Sequence, residues 1–225
     1  MLTREDFTPE RIDNLIAEAR KHGPYEALTH EERENNRQQF LNSSEIPSEG
    51  LWVFGYGSLL WNPAFNFVSS EPAKLYGYRR HFCLHMNIGR GSPEKPGIML
   101  ALDTGGSCEG QAFLIDPKEI ESETQILWMR EMLSGAYLPH WGKIKLQGKT
   151  VSGLTFVVNR KHSRYLPHLT VDETLIRLAQ GEGYLGTSRE YLENTIEHLD
   201  EINVRDGYLH ELRDQLLAEY PKGER

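Results

Sequence analysis

The strand-forming segments of this chain fall between residues 51 and 158, and helix caps crowd both flanks. Runs with strand character occur at 51–56, 74–86, 97–102, 107–115, 143–147 and 150–158, most of them separated by glycine or proline. Strands gathered before helices, rather than alternating with them, argue for an α+β domain. The expected form is a mixed sheet or small β-barrel flanked by helices. With 225 residues the chain can hold one domain plus an extension, and can bury a core without staples.

The first fifty residues read as that extension. Thr8-Pro9 opens a helix with a cap and a first-turn proline, and Ile12, Leu15, Ile16 and Ala19 repeat at helical spacing. Gly23-Pro24 should stop it. Thr29 and Glu32 form a capping box for a second, very polar helix to about Phe40. Residues 42–50 read as a linker, so the division is 1–50 for extension and linker, and 51–225 for the main domain. The extension is expected to pack on the domain surface and to be dispensable for chemistry. Further on, Asp116-Pro117 should start a helix to about Leu133, stopped by Ser134-Gly135. Thr170 with Glu173 and Thr187 with Glu190 open later helices, and Asp206-Gly207 precedes the last.

Charge excludes one class of partner. A net charge of −8 lacks the basic surface that phosphate neutralisation needs, so no nucleic acid is expected. No apolar run is long enough to span a bilayer, so no membrane is expected either. The first residues, Met1-Leu2-Thr3-Arg4, lack a secretory h-region, and Cys83 and Cys108 are expected to be reduced in a cytosolic protein. Oligomeric state is not legible.

The residues that could carry chemistry are few. Leu51 to Phe54 ends abruptly in Gly55-Tyr56-Gly57-Ser58, a buried strand stopping at a glycine turn whose amides could face an anion. It is neither a dinucleotide fingerprint nor a P-loop. His81, His85, His162 and His168 lack metal-ligand spacing, so no metal is expected. Ser58 is outside any Gly-x-Ser-x-Gly context, and Cys83 reads as packing. Of Arg79 and Arg80, alternation turns one inward; either it meets a carboxylate-bearing ligand or both lie at a solvated sheet edge. Glu131 lies in an apolar helix end among Leu127, Trp128 and Met132. It reads either as a base with a raised pKa or as half of a surface salt bridge.

Taken in order, these pieces resemble a known family. They are Leu51 to Trp61, Gly77-Tyr78-Arg79-Arg80-His81-Phe82, Arg90-Gly91-Ser92-Pro93, Lys95-Pro96-Gly97, Cys108 to Phe113, Arg130-Glu131 before Ser134-Gly135-Ala136-Tyr137, and Gly183-Tyr184-Leu185-Gly186 followed by Tyr191-Leu192. The chain resembles the ChaC branch of the γ-glutamylcyclotransferases over roughly residues 51 to 215. It departs at His81, where many relatives carry a second arginine, and at Ser134-Gly135-Ala136, where Gly-Gly-Tyr is common.

The resemblance implies cleavage of glutathione to 5-oxoproline and Cys-Gly with no cofactor. It implies that Val53, Phe54, Gly55, Tyr56, Gly57, Ser58 and Leu59 hold the γ-glutamyl head group, with Arg80 as a further contact. Glu131 would accept the proton, and Tyr184 would line the site. That chemistry suits a chain without a nucleophile, because the substrate's own α-amine attacks its γ-carbonyl. A cyclotransferase for other γ-glutamyl amines, a γ-glutamyl-binding module and a water-using hydrolase are the competing readings.

Overall fold

The computed structural model describes residues 3–21 and 25–221. The Gly23-Pro24 stop lies outside them. Strands β1 (Leu51–Gly55), β2 (Ser69–Met86), β3 (Gly97–Ile115), β4 (Tyr137–Lys145) and β5 (Thr150–Val158) close a barrel in the order β1-β3-β2-β4-β5. β1 completes it by pairing in parallel with β5, Val53 opposite Leu154, and Leu102 of β3 also meets Val157 of β5 in parallel. The other neighbours are antiparallel. The sheet is therefore mixed and closed, as the α+β reading expects.

The segments 97–102 and 107–115 are one strand, not two. Gly105 and Gly106 take φ of +99° and +74°, and β2 is irregular opposite them at Gly77, φ +87°. Left-handed glycines here bend a continuous ladder instead of ending it. β4 starts six residues before its expected start at 143, across Pro139 and Gly142. It can hold a proline because, among the described residues, its partners in β2 are Lys74 and Leu75, opposite Lys145 and Ile144 at the far end of the strand from Pro139.

The helices are α1 (Pro9–Lys21), α2 (His30–Leu41), α3 (Ile120–Glu131), α4 (Val171–Gln180), α5 (Ser188–Glu201) and α6 (Gly207–Glu219). Capping boxes form at Thr29/Glu32, Thr170/Glu173 and Thr187/Glu190, and Asp206 accepts from Leu209 N at 3.1 Å. Asp116 does not cap α3. Its side chain and carbonyl hold a separate turn at Lys118 and Glu119, and the helix begins at Ile120. β6 (Glu182–Gly183) and β7 (Gly186–Thr187) form a small hairpin before α5.

One core cluster joins the barrel to α4, α5 and α6 through Phe54, Phe82, Leu175, Leu192 and Leu209. Another joins Leu51, Val53, Phe113 and Phe156 to Leu127 and Trp128 of α3. The extension then covers α3. Phe7, Ile12 and Ile16 pack on Ile126 of α3. α2 has no apolar stripe; its buried side chains are Arg33 and Arg37. Arg37 is wholly buried, donating to Thr124 Oγ1 at 2.8 Å and pairing with Glu34 and Glu121. A buried guanidinium needs such partners, and α3 supplies two of them.

Candidate active site

β1 ends at Gly55 and the chain turns at once into a short 3₁₀ segment, Ser58–Leu60. Tyr56 is buried and donates its hydroxyl to Phe156 O at 3.1 Å, which fixes the turn to β5. Gly57 is required by space rather than by φ. A Cβ there would lie 2.5 Å from the Tyr191 hydroxyl.

α3 delivers the acid. Helix geometry ends at Glu131, whose side chain is 14 % exposed, and Arg130 beside it is 11 % exposed. The Arg130 guanidinium spans the gap between helix and turn. It donates to Glu131 Oε1 at 2.8 Å, to Ser58 Oγ at 2.8 Å, and to the backbone carbonyl of Asn62. Burial pushes the Glu131 carboxyl above its ordinary range, while the charge and hydrogen bond of Arg130 pull it back. Burial and the nearby Glu131 charge push the Tyr191 phenol up to about 12, so it stays protonated.

These groups line a cavity of about 250 Å³. Tyr56, Gly57, Ser58, Leu59, Glu131 and Tyr184 all reach it. Tyr184 stands at an exposed hairpin tip between β6 and β7. Val53, Phe54 and Gly55 do not reach it. They are fully enclosed strand residues, because the run preceding the turn faces the two core clusters.

Arg80 is a second correction. It does turn inward, as alternation requires, but its donors are consumed within the protein. Nε donates to Tyr56 O and Nη2 to Glu109 O, each at 2.7 Å, and Nη1 pairs with Asp206. It does not line the cavity, and grips the Tyr56 backbone instead. The extension packs on the domain as expected, and Phe7, Ile12, Leu15 and Tyr25 also line the cavity.

Three arginines reach the cavity, and the sequence reading gave none of them a role there: Arg90, Arg130 and Arg164. Arg90 lies 5.3 Å from the Tyr191 ring centroid and donates to Thr187 O at 2.9 Å. Arg164 donates to His85 O at 2.8 Å and Ser134 Oγ at 3.2 Å. Arg130 had a signal, its adjacency to Glu131; Arg164 sits in a loop with none. Among the described residues no group of three or more His, Cys, Asp or Glu side chains is placed to hold a metal ion. Cys83 and Cys108 are free and buried, their thiols pushed up to about 12 and about 11 by burial.

Residues 51–219 match the family described as ChaC-like protein. The chain belongs to that family. A glutathione-specific γ-glutamylcyclotransferase of Escherichia coli (strain K12) is 39% identical over 183 residues, covering 79% of each chain. Glutathione-specific γ-glutamylcyclotransferase 1 of Danio rerio is 30% identical over 175 residues, 75% of this chain and 89% of that one. Among solved structures, a yeast γ-glutamyl cyclotransferase specific to glutathione superposes with a TM-score of 0.68 at 20% identity, covering 76% of this chain and 97% of the other. That last likeness speaks for the fold. The ChaC-like match begins at residue 51, so the side chains that the extension places in the cavity come from outside it.

Proposed function

We propose that this ChaC-like protein cleaves glutathione by cyclisation, releasing 5-oxoproline and Cys-Gly. The observation that carries the reading is Glu131, a shielded carboxylate with a raised pKa in the same cavity as the Gly57–Ser58 turn. The named activity of the relatives supports the same reaction.

The chemistry is dictated by the substrate. Its α-ammonium has no lone pair, so a base must first take a proton. Glu131 accepts it. The amine then attacks the γ-carbonyl carbon and forms the C–N bond of a five-membered lactam. The proton held by Glu131 passes to the amide nitrogen and the old C–N bond breaks; Glu131 then takes the second proton from the ring nitrogen and hands it to the departing amine, so the lactam is neutral and Cys-Gly leaves as an ammonium. No water is consumed. Holding the folded conformer contributes about 7–11 kcal/mol when attack geometry is good. A carboxyl poised nearer neutrality than an ordinary one suits both halves of this transfer.

The head group is polar at both ends. Its α-carboxylate is placed at the Gly57–Ser58 turn, near the Arg130 guanidinium that bonds Ser58. Its ammonium faces Glu131. Arg80 is assigned a positioning role, holding the Tyr56 carbonyl from behind the turn. Tyr184 closes the mouth.

A cytosolic location accords with the two free thiols and with the cytosolic glutathione pool. Among the described residues no helix is long and apolar enough to cross a membrane. The test of the reaction is mass analysis of products from glutathione in chelator-treated buffer. 5-Oxoproline with Cys-Gly is expected; free glutamate marks hydrolysis instead and contradicts the proposal.

A further inference from the structure

Phe7, Ile12, Leu15 and Tyr25 give the cavity an apolar side that the cyclisation itself does not need. A γ-glutamyl head group ends in an ammonium and a carboxylate, and both have partners at Glu131 and the Gly57–Ser58 turn. Apolar surface gains by covering apolar surface. In glutathione that surface lies beyond the scissile amide, on the cysteine residue, whose thiol behaves as a small hydrophobe.

This wall is fixed to the helix that carries the base. Arg4 makes a two-pronged bond to Glu123, one arm at 2.8 Å. Asn36 Oδ1 accepts from Trp128 Nε1 at 2.9 Å, and Leu28 N donates to Leu133 O at 3.0 Å. Each contact lands on α3 or just after it, so wall and Glu131 keep one spacing.

The wall adjoins a cation. Ser134 sits beside the Tyr25 hydroxyl and accepts from Arg164 Nη1. Among the described residues the partner of Arg164 Nη2 is the Met86 thioether. Sulfur is a weak acceptor, and a carboxylate is a far better partner for that nitrogen.

We propose that the extension forms a subsite for the departing half of the substrate: Phe7, Ile12, Leu15 and Tyr25 cover its side chain, and Arg164 takes its terminal carboxylate. The extension then selects the amine that the γ-glutamyl group carries. This rests on the cyclotransferase reading, and the experiment separates the two.

Glutathione is compared with γ-glutamyl-methylamide, which keeps the head group and lacks the departing dipeptide. The readout is the ratio of their kcat/KM values, with Ki as a competitor standing for the methylamide if it is not turned over. Leu15→Asp places a carboxylate in the wall and should lower the ratio about tenfold or more, through KM for glutathione. Leu15→Met should restore it, and Arg164→Met should lower it. Leu15→Ala replaces the Asp variant if that one folds poorly, with a smaller fall in the same direction. Both substrates shifting by one common factor in these variants overturns the subsite. A parent protein that cyclises neither substrate overturns the reaction, and the subsite with it.

Discussion

Arg130 holds Ser58 and Glu131 at once, donating to Ser58 Oγ and to Glu131 Oε1 at 2.8 Å each. Turn and acid come from segments far apart in the chain, and this one guanidinium sets their spacing. Its charge also lowers the Glu131 pKa against the effect of burial.

Removing that charge should therefore show in the pH profile. In Arg130→Met the acid limb of kcat/KM is expected to move to higher pH, because burial then acts on Glu131 unopposed. Activity should fall as well, since Ser58 loses its partner. A profile with an unmoved acid limb would argue that Glu131 is not the titrating group.

Glu131 should also mark the stability curve. Its folded pKa is raised, so between the ordinary carboxylate value and that raised value the native state binds more protons than the unfolded one. Stability from this group is then greatest at low pH and is lost as pH rises through the window. Glu131→Gln should have a higher Tm than the parent at pH 7.5, and the gap should close below pH 4. A variant less stable at pH 7.5 would show that the Arg130 pair outweighs burial.

The contact between Gly57 and Tyr191 gives a repairable clash. Gly57→Ala should cost about 1–3 kcal/mol by overpacking, because its Cβ would sit 2.5 Å from the Tyr191 hydroxyl. The ring carbon behind that oxygen is 3.6 Å away, so Tyr191→Phe should restore part of the loss. Chemical denaturation of the two single variants and the double variant reads this directly. Additive losses would contradict it.

Arg37 should anchor the extension. Arg37→Met removes its bonds to Glu121 and Thr124, and about 1–3 kcal/mol is expected in urea unfolding. The acids left behind are partly exposed, which keeps the cost below that of a stranded buried charge. An unchanged midpoint would mean that Arg37 does not anchor the extension.

Local signals were legible in the sequence. Thr29/Glu32, Thr170/Glu173 and Thr187/Glu190 all cap where their spacing says, because a capping box is complete within four residues. Contacts distant in sequence were not legible. Barrel closure depends on Val53 meeting Leu154, and neither segment names its partner. Alternation turned Arg80 inward, but Asp206, which takes up its charge, lies in another element entirely. The stripe Ile12, Leu15 and Ile16 showed that α1 must pack; nothing in it showed that the surface it covers borders the cavity. Arg164 had no pattern at all, since a loop arginine becomes a site residue only through folding.

Glu131 as the proton acceptor is the claim on which the mechanism rests. Glu131→Gln keeps the size of the side chain and cannot take the ammonium proton at neutral pH. Turnover of glutathione to 5-oxoproline and binding of glutathione by calorimetry are measured on the same folded variant. The expected result is a loss of about 10²–10⁴-fold in turnover with binding retained. Turnover within a few-fold of the parent would remove Glu131 as the base and, with it, the mechanism built on the cavity.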